Sequence, residues 1–234
     1  MKKRFLSCVA VAMLMLLVSA SSVFAAENSN TGFYIGVTGG YVIPQTMTIS
    51  DPDGGATYMD MTLENGYFVG VKSGWNTPFT RGIMALEMEY NYIRNELDSS
   101  KIIPSPDHDG YPVTLDGTMT IHALLFNIKA RYPEGRIHPY AGFGLGYAYS
   151  SFGDITERAY DGSGTETWKS ESGGAFCWQF MAGVDFDITP NLGVGIGYKY
   201  FATKPTIGDN NSDGMYVDAD YRASIITMGL TFTF

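Results

Sequence analysis

From residue 33 to the C-terminus, apolar side chains recur at every second position in segments of about ten residues. This alternation predicts β-strands, because successive side chains of a strand point to opposite faces. Eight segments show it, and they cover residues 33–41, 67–75, 84–92, 124–132, 141–149, 176–186, 194–200 and 226–234.

In each segment one face is apolar and often aromatic, and the other face is mostly small, polar or charged. In segment 124–132, for example, Leu124 and Phe126 lie on the apolar face, whereas Lys129 and Arg131 lie on the opposite one. Charged side chains are tolerated in a barrel lumen far better than against lipid. We therefore expect the aromatic faces to contact lipid and the charged faces to line a lumen. A soluble lipocalin-like barrel would point its apolar residues inward instead.

The connections between the segments alternate strictly in length, which places all long loops at one end and both termini at the other. Short periplasmic turns and long external loops in an even-stranded sheet are typical of transmembrane barrels. A soluble sandwich gives no reason for such segregation. The sequence thus predicts an all-β fold, an eight-stranded antiparallel transmembrane β-barrel. The short connections are residues 76–82, 133–138 and 188–192, and the long ones are residues 44–61, 95–117, 151–173 and 202–216.

The first residues form a predicted secretory signal peptide, residues 1–25, ahead of a barrel domain spanning residues 26–234. A basic start at Lys2–Arg4 precedes the apolar run Phe5–Val18, which is too short to span a bilayer as a helix. Small residues follow, and cleavage is expected after Ala25.

The charge of the chain lies mainly in the long loops. With 15 Lys and Arg against 24 Asp and Glu, the chain is acidic, which argues against nucleic acid as a partner. The four long loops and their edges carry 17 acidic and 5 basic residues, so their net charge equals the −12 of the chain without its signal peptide. Acidic loops can simply stay hydrated. They can also bridge through divalent cations to lipopolysaccharide, or bind a basic surface ligand of unknown identity.

Two glycine-rich stretches superficially resemble a nucleotide-binding motif. In residues 142–146 and 193–197, however, glycine keeps strict period two within strands, unlike the G-x-G-x-x-G turn before a helix. We interpret them as inward positions that leave room for long Lys, Arg and Glu side chains.

Candidate catalytic residues do not form an ordered set in the sequence. His108 lies in a long loop, His122 near the start of the fourth strand, and His138 at a short turn where we expect it to be solvated. No nucleophile, base and orienting group are predicted to meet, and Cys177 is expected to pack. No catalytic residue is assigned, and the protein is predicted not to be an enzyme.

One loop has the spacing of a calcium site. Residues 209–214 match D-x-N-x-D-G, and Asp220 stands where the helix-loop-helix site carries Glu. Clusters of Asp, Asn and Gly also make ordinary turns. Whether this loop binds calcium stays open, and no metal site or cofactor is assigned.

The charged side chains expected inside the barrel balance one another. Since an eight-stranded lumen is just wide enough for side chains to fill, we predict a plugged lumen with small conductance. The expected interior residues are Lys72, Lys129, Arg131 and Lys199 with Glu64, Glu87, Glu89 and Asp185.

Three stretches, Pro139–Tyr147, Asp185–Leu192 and the terminal run Met228–Phe234, resemble the outer-membrane protein beta-barrel domain family, which includes opacity-type surface antigens and the barrel domain of outer-membrane protein A. The resemblance covers residues 31–234. It implies a place in the cell outer membrane, contact with outer-membrane lipid and lipopolysaccharide, and recognition of the C-terminal Phe by the barrel-assembly machinery. We expect a non-enzymatic surface or structural protein. The alternatives are a narrow porin for small solutes and a lipid-modifying outer-membrane enzyme.

Overall fold

The computed structural model describes most of the chain beyond its first thirty residues. The predicted signal peptide lies outside the described residues, which are 31–52, 57–99, 102–104, 112–159, 164–168, 170–208 and 216–234.

The described residues form strands and a short 3-10 helix, Pro78–Thr80, in the turn between the second and third barrel strands. No helix among them is both long and apolar enough to cross a membrane. The strands are β1 (Gly32–Pro44), β2 (Met47–Ser50), β3 (Thr57–Met61), β4 (Gly66–Asn76), β5 (Met84–Glu96), β6 (Ile102–Pro104), β7 (Pro112–Asp116), β8 (Thr118–Arg131), β9 (Ile137–Phe152), β10 (Ile155–Ala159), β11 (Thr165–Trp168), β12 (Glu171–Asp187), β13 (Leu192–Thr203), β14 (Thr206–Gly208) and β15 (Tyr216–Thr233).

Eight long strands close into a barrel. Their order is β1-β4-β5-β8-β9-β12-β13-β15, every neighbouring pair is antiparallel, and β15 pairs back onto β1. Closure leaves no free edge among these strands, so their backbone hydrogen bonds are made within the sheet. The eight predicted strands are confirmed, and most of them are longer than predicted at the end that carries the long connections.

We call the two ends of the barrel the turn end, where the short connections lie, and the loop end. The apolar faces predicted from the sequence lie on the outside of the barrel, where Phe126 and Ile196 are more than half exposed. Aromatic side chains gather toward both ends of this outer surface, as at a lipid interface. Toward the turn end these are Phe33, Trp75, Phe79 and Phe232, and toward the loop end Tyr41, Tyr67, Tyr149, Phe176 and Tyr198.

The long connections are folded rather than open loops. Strands β2 and β3 pair with the loop-end part of β15, which also pairs with β14. On the other side, β11-β10-β7-β6 form a separate four-stranded sheet. We call these seven short strands and residues 216–220 of β15 the outer extension.

One apolar cluster fills the loop-end half of the lumen and continues into the outer extension. Phe68 and Leu125 belong to it inside the barrel, and Met47, Leu115 and Ile207 belong to it above the barrel. The sequence predicted mostly small, polar or charged side chains on the inner face, and this prediction is wrong for the loop-end half. The outer extension covers that half, so its inner side chains are removed from water and pack like a core.

Candidate functional site

The turn-end half of the lumen contains a network of buried charged and amide side chains, which we call the charged layer. Period-two alternation turns each of these residues inward from five different strands. The layer consists of Lys72, Glu87, Glu89, Asn127, Lys129, Gln179 and Lys199, six of them buried and Lys72 nearly so.

Glu87 is the centre of one half of the charged layer. Its carboxylate accepts hydrogen bonds from Tyr34 Oη at 2.9 Å and Asn127 Nδ2 at 3.0 Å. The ammonium groups of Lys72 and Lys129 lie 3.8 and 3.7 Å from Glu87 Oε2. Two cations therefore share one buried carboxylate, which offsets much of the cost of burying them.

Glu89 is the centre of the other half. It forms a direct ion pair with Lys199 and accepts hydrogen bonds from Asn127 Nδ2 at 3.1 Å and Gln179 Nε2 at 2.9 Å. Because Gln179 also donates to Asn127 Oδ1 at 2.9 Å, the two halves form one continuous network across the bore.

Inward glycines make room for the charged layer, as interpreted from the sequence. A Cβ atom added at Gly36 would lie 2.8 Å from Lys72 Cε, and one at Gly142 would lie 3.0 Å from Lys129 Cγ. Both Cβ atoms would also lie 2.8 Å from a backbone oxygen, of Leu230 and Ile128 respectively, so a larger residue at either position would disturb the strand pairing as well as the lysine.

Two residues were placed wrongly from the sequence. Glu64 is exposed in the connection between β3 and β4, outside the lumen, because the barrel part of β4 begins only at Gly66. His138 is fully buried rather than solvated: its Nδ1 lies 2.8 Å from Tyr132 O and its Nε2 lies 2.8 Å from Asp187 Oδ2. Strand β9 begins at Ile137, so His138 already belongs to the strand. The alternation of side chains along β9 then points His138 into the lumen.

Above the charged layer, apolar and aromatic side chains fill the bore. We call the barrel part of this cluster the apolar layer, formed by Phe68, Ile93, Leu125, Cys177, Phe201, Tyr221 and Ile225. Lys199 Nζ lies 4.9 Å from the centre of the Phe68 ring, so the two layers are in direct contact. Segment 119–125 carried the signal that was missed: Met119, Ile121, Ala123 and Leu125 are all apolar and have the same inward phase as Asn127 and Lys129.

The candidate catalytic residues that the structure describes, His122, His138 and Cys177, do not come together. His122 is on the outer surface of the barrel, where its Nδ1 lies 2.6 Å from Tyr90 Oη and its ring packs edge-on against Tyr92. Cys177 is buried in the apolar layer, and His108 lies outside the described residues.

The outer extension holds its own polar contacts. Asp218 accepts a hydrogen bond from Thr206 Oγ1 at 2.6 Å, and Lys204 Nζ lies 2.9 Å from its other oxygen. Burial by itself would raise the pKa of Asp218, but the Thr206 and Lys204 contacts outweigh it and hold this pKa below its ordinary value.

The calcium motif falls mostly outside the described residues, which omit 209–215. Its last position, Asp220, lies in β15, where Arg222 donates to both carboxylate oxygens at 3.0 and 2.7 Å. Within the described part of the chain, no three His, Cys, Asp or Glu side chains are grouped as metal ligands.

A closed, eight-stranded antiparallel barrel with an apolar, aromatic-rimmed outer surface and a filled lumen defines a transmembrane barrel of the bacterial outer membrane. The sequence profile of the outer membrane protein beta-barrel domain family matches residues 10–234, and the chain belongs to this family. The resemblance drawn from the sequence is thereby confirmed. In such barrels the turn end faces the periplasm and the loop end faces the exterior.

Curated relatives match this chain at low sequence identity. An uncharacterised protein of Brucella suis biovar 1 (strain 1330) is 26% identical over 157 residues, covering 61% of this chain and 54% of the relative. The chain thus spans about half the length of the curated relatives it matches.

Two solved structures illustrate the similarity of fold. The outer membrane protein OprG from Pseudomonas aeruginosa has a TM-score of 0.50 at 14% identity, covering 87% of this chain and 96% of OprG. Neisserial surface protein A has a TM-score of 0.45 at 16% identity, covering 87% and 97%. The similarity to OprG concerns the fold alone, since one fold supports many functions.

The charged layer yields a first prediction. Glu89→Ala leaves Lys199 buried without its carboxylate and is expected to lower the free energy of unfolding by about 3–5 kcal/mol. Urea unfolding in detergent micelles, followed by tryptophan fluorescence, measures this loss. The exposed ion pair of Glu96 with Arg94 provides the control, and Glu96→Ala is expected to cost less than about 1 kcal/mol. Strictly additive losses in Glu89→Ala, Lys199→Ala and their double variant would contradict a direct pair.

Asp218 yields a prediction on pH. Because its pKa is lowered by folding, its contribution to the outer extension is complete above the ordinary value of 3.8 and is lost as pH falls through the lowered pKa. Amide hydrogen exchange of β14, corrected for the intrinsic pH dependence of exchange, should show this acid step. Asp218→Asn should exchange faster at neutral pH and lack the step, whereas Asp154→Asn, at an exposed position, should retain it. A variant curve identical to that of the wild type would refute this role.

Proposed function

We propose that the protein is a non-enzymatic surface or structural protein of the outer membrane, with a lumen closed by side chains. In this proposal its outer extension and loops contact divalent cations and lipopolysaccharide or adhere to a surface partner. The observation that carries the proposal is the filling of the lumen by two successive layers of different chemistry.

The two layers oppose permeation for different physical reasons. A solute that crosses the charged layer must separate Glu89 from Lys199 and break the hydrogen bonds of Gln179 and Asn127. A hydrated ion would then have to lose its water among Phe68 and the other side chains of the apolar layer, which costs several kcal/mol per polar group. This arrangement supports a closed barrel over the narrow porin.

The outer extension supports a role at the cell surface. Its two sheets share an apolar core, so the surface above the membrane has a defined shape. Asp60, Glu96, Asp116 and Asp154 are exposed on this extension or next to it. Negative charge at these positions favours divalent cations and basic ligands through long-range attraction that salt screens.

The positions of the reactive side chains support a non-enzymatic role. His122 packs among tyrosines on the outer surface, and His138 bridges Tyr132 O and the carboxylate of Asp187. Neither histidine contacts a Ser, Thr or Cys side chain in the described part of the chain. These residues therefore do not form the pair of base and nucleophile that hydrolysis requires.

Planar-bilayer recording tests the closed lumen. The purified wild type should show only small or transient conductance. Phe201→Ala combined with Glu87→Ala removes bulk and charge from both layers and should raise the conductance several-fold. The control combines Phe126→Ala on the lipid-facing surface with Glu134→Ala on an exposed turn, and it should behave as the wild type. A steady, large ohmic conductance from the wild type would reject the closed lumen and favour the narrow porin.

A binding assay tests the surface role. Phosphatidylcholine vesicles containing the protein should attach to a polylysine-coated surface at low salt and detach as salt rises. The triple variant Asp60→Asn, Glu96→Gln and Asp154→Asn should attach at least several-fold less. Glu134→Gln at the turn end serves as the matched control and should attach normally. Equal attachment by protein-free vesicles would contradict the proposed role of the acidic surface.

A further inference from the structure

Among the described residues, Arg131 is an interior cation that forms no ion pair with the charged layer. The ion pairs of that layer engage Lys72, Lys129 and Lys199, and none of them includes Arg131. Glu64, counted from the sequence as an interior acid, is outside the lumen. The Nε atom of Arg131 is buried and has no hydrogen-bond partner among the described residues. A buried guanidinium donor without an acceptor costs about 1–3 kcal/mol, so this position is suited to an added acceptor.

Arg131 lines a cavity at the turn end of the lumen, which we call the mouth cavity. Lys72 and Lys129 line the same cavity, together with polar side chains at its rim such as Thr233. Its volume is about 40 Å³. A cavity needs only about 10–15 Å³ on the same measure to hold one water molecule, so the mouth cavity has room for a small polyatomic ion.

The ammonium groups of Lys72 and Lys129 can donate further hydrogen bonds. Lys72 Nζ lies 3.8 Å from Glu87, and Lys129 Nζ lies 3.7 Å from both Glu87 and Asp185. These distances exceed those of direct hydrogen bonds, which end near 3.2 Å, so ammonium N–H groups remain available to a bridging acceptor. An oxyanion between Arg131 and the lysines would accept charge-assisted hydrogen bonds, the strongest kind in proteins.

The acidic side chains of the mouth cavity are already engaged. Asp187 Oδ2 lies 2.8 Å from His138 Nε2, and Asp185 is paired with Lys129. Both carboxylates are partly exposed, at 32% and 24% respectively, so the cavity is open to the periplasmic side. Their charge weakens the attraction for an anion, and with Glu87, which the two lysines share, the acids equal the three cations in number. The attraction for an anion therefore comes from the unpartnered Nε of Arg131 and from the lysine N–H groups, not from an excess of positive charge.

We propose that the mouth cavity binds a small oxyanion, a carboxylate or a phosphate group, between Arg131, Lys72 and Lys129. The ion enters from the periplasmic side and stops there, because the rest of the charged layer and the apolar layer close the lumen above it. The planar guanidinium of Arg131 holds two oxygens of the ion, and the lysines neutralise its charge. This site goes beyond the surface role and does not depend on it.

Titration of the full, refolded protein in detergent micelles tests the site. Sodium phosphate and sodium acetate are added separately at constant ionic strength, and the backbone amide resonances of Gly193 and Thr231, which line the cavity, are followed by NMR. Saturable shifts with either anion are expected, and the anion that saturates first identifies the preferred group. Shifts that stay linear with both anions would overturn the proposal.

Three variants locate the binding. Arg131→Gln should weaken it at least tenfold, whereas Arg136→Gln, the same change at an exposed position of a neighbouring turn, should leave it unchanged. Asp185→Asn removes a negative charge from the cavity wall and should tighten binding several-fold, a readout that remains if Arg131→Gln fails to fold. Equal weakening by Arg136→Gln, or no change in Asp185→Asn, would overturn the site. The closed lumen is tested separately by conductance.

Discussion

The pairing of β15 with β1 is the contact on which the rest of the structure depends. In the hydrocarbon region no water is available to the backbone, so every N–H and C=O group must find a partner within the protein. Eleven residue pairs, from Tyr34 with Thr233 to Pro44 with Ala223, join the first and last strands. Once the ring is closed, the alternation of each strand divides its side chains between lipid and lumen, and no other division is possible.

Closure with only eight strands gives a bore that side chains must fill, and two kinds of chemistry fill it. Near the turn end, cations and carboxylates are placed so that amides and ion pairs satisfy most of them. Near the loop end, the outer extension shields the bore, and apolar side chains pack as in a soluble core. Function is therefore expected at the two ends of the barrel: at the acidic outer surface and at the mouth cavity, where Arg131 Nε has no hydrogen-bond partner among the described residues.

Sequence reasoning located the strands well because alternation is a local property. It failed where the environment of an inward residue depends on other strands. Leu125 has the phase of Asn127 and Lys129, but the apolar layer surrounds it because the outer extension covers that depth of the bore. The sequence places His138 in a short turn, although β9 is already paired with β12 at that residue. Glu64 was expected to supply a negative charge inside the lumen, but it precedes the start of β4 and so lies outside the barrel.

The sequence by itself determined the number of barrel strands, the face that each presents to lipid, and the end at which the long connections lie, because all three follow from periodicity and spacing along the chain. Only the tertiary structure decided which interior charges meet. Glu89 and Lys199 are 110 residues apart and come from strands that are not neighbours in the sheet. Their contact crosses the bore, so it depends on ring closure and on the combined register of several strands. Neither can be derived from the alternation within one strand.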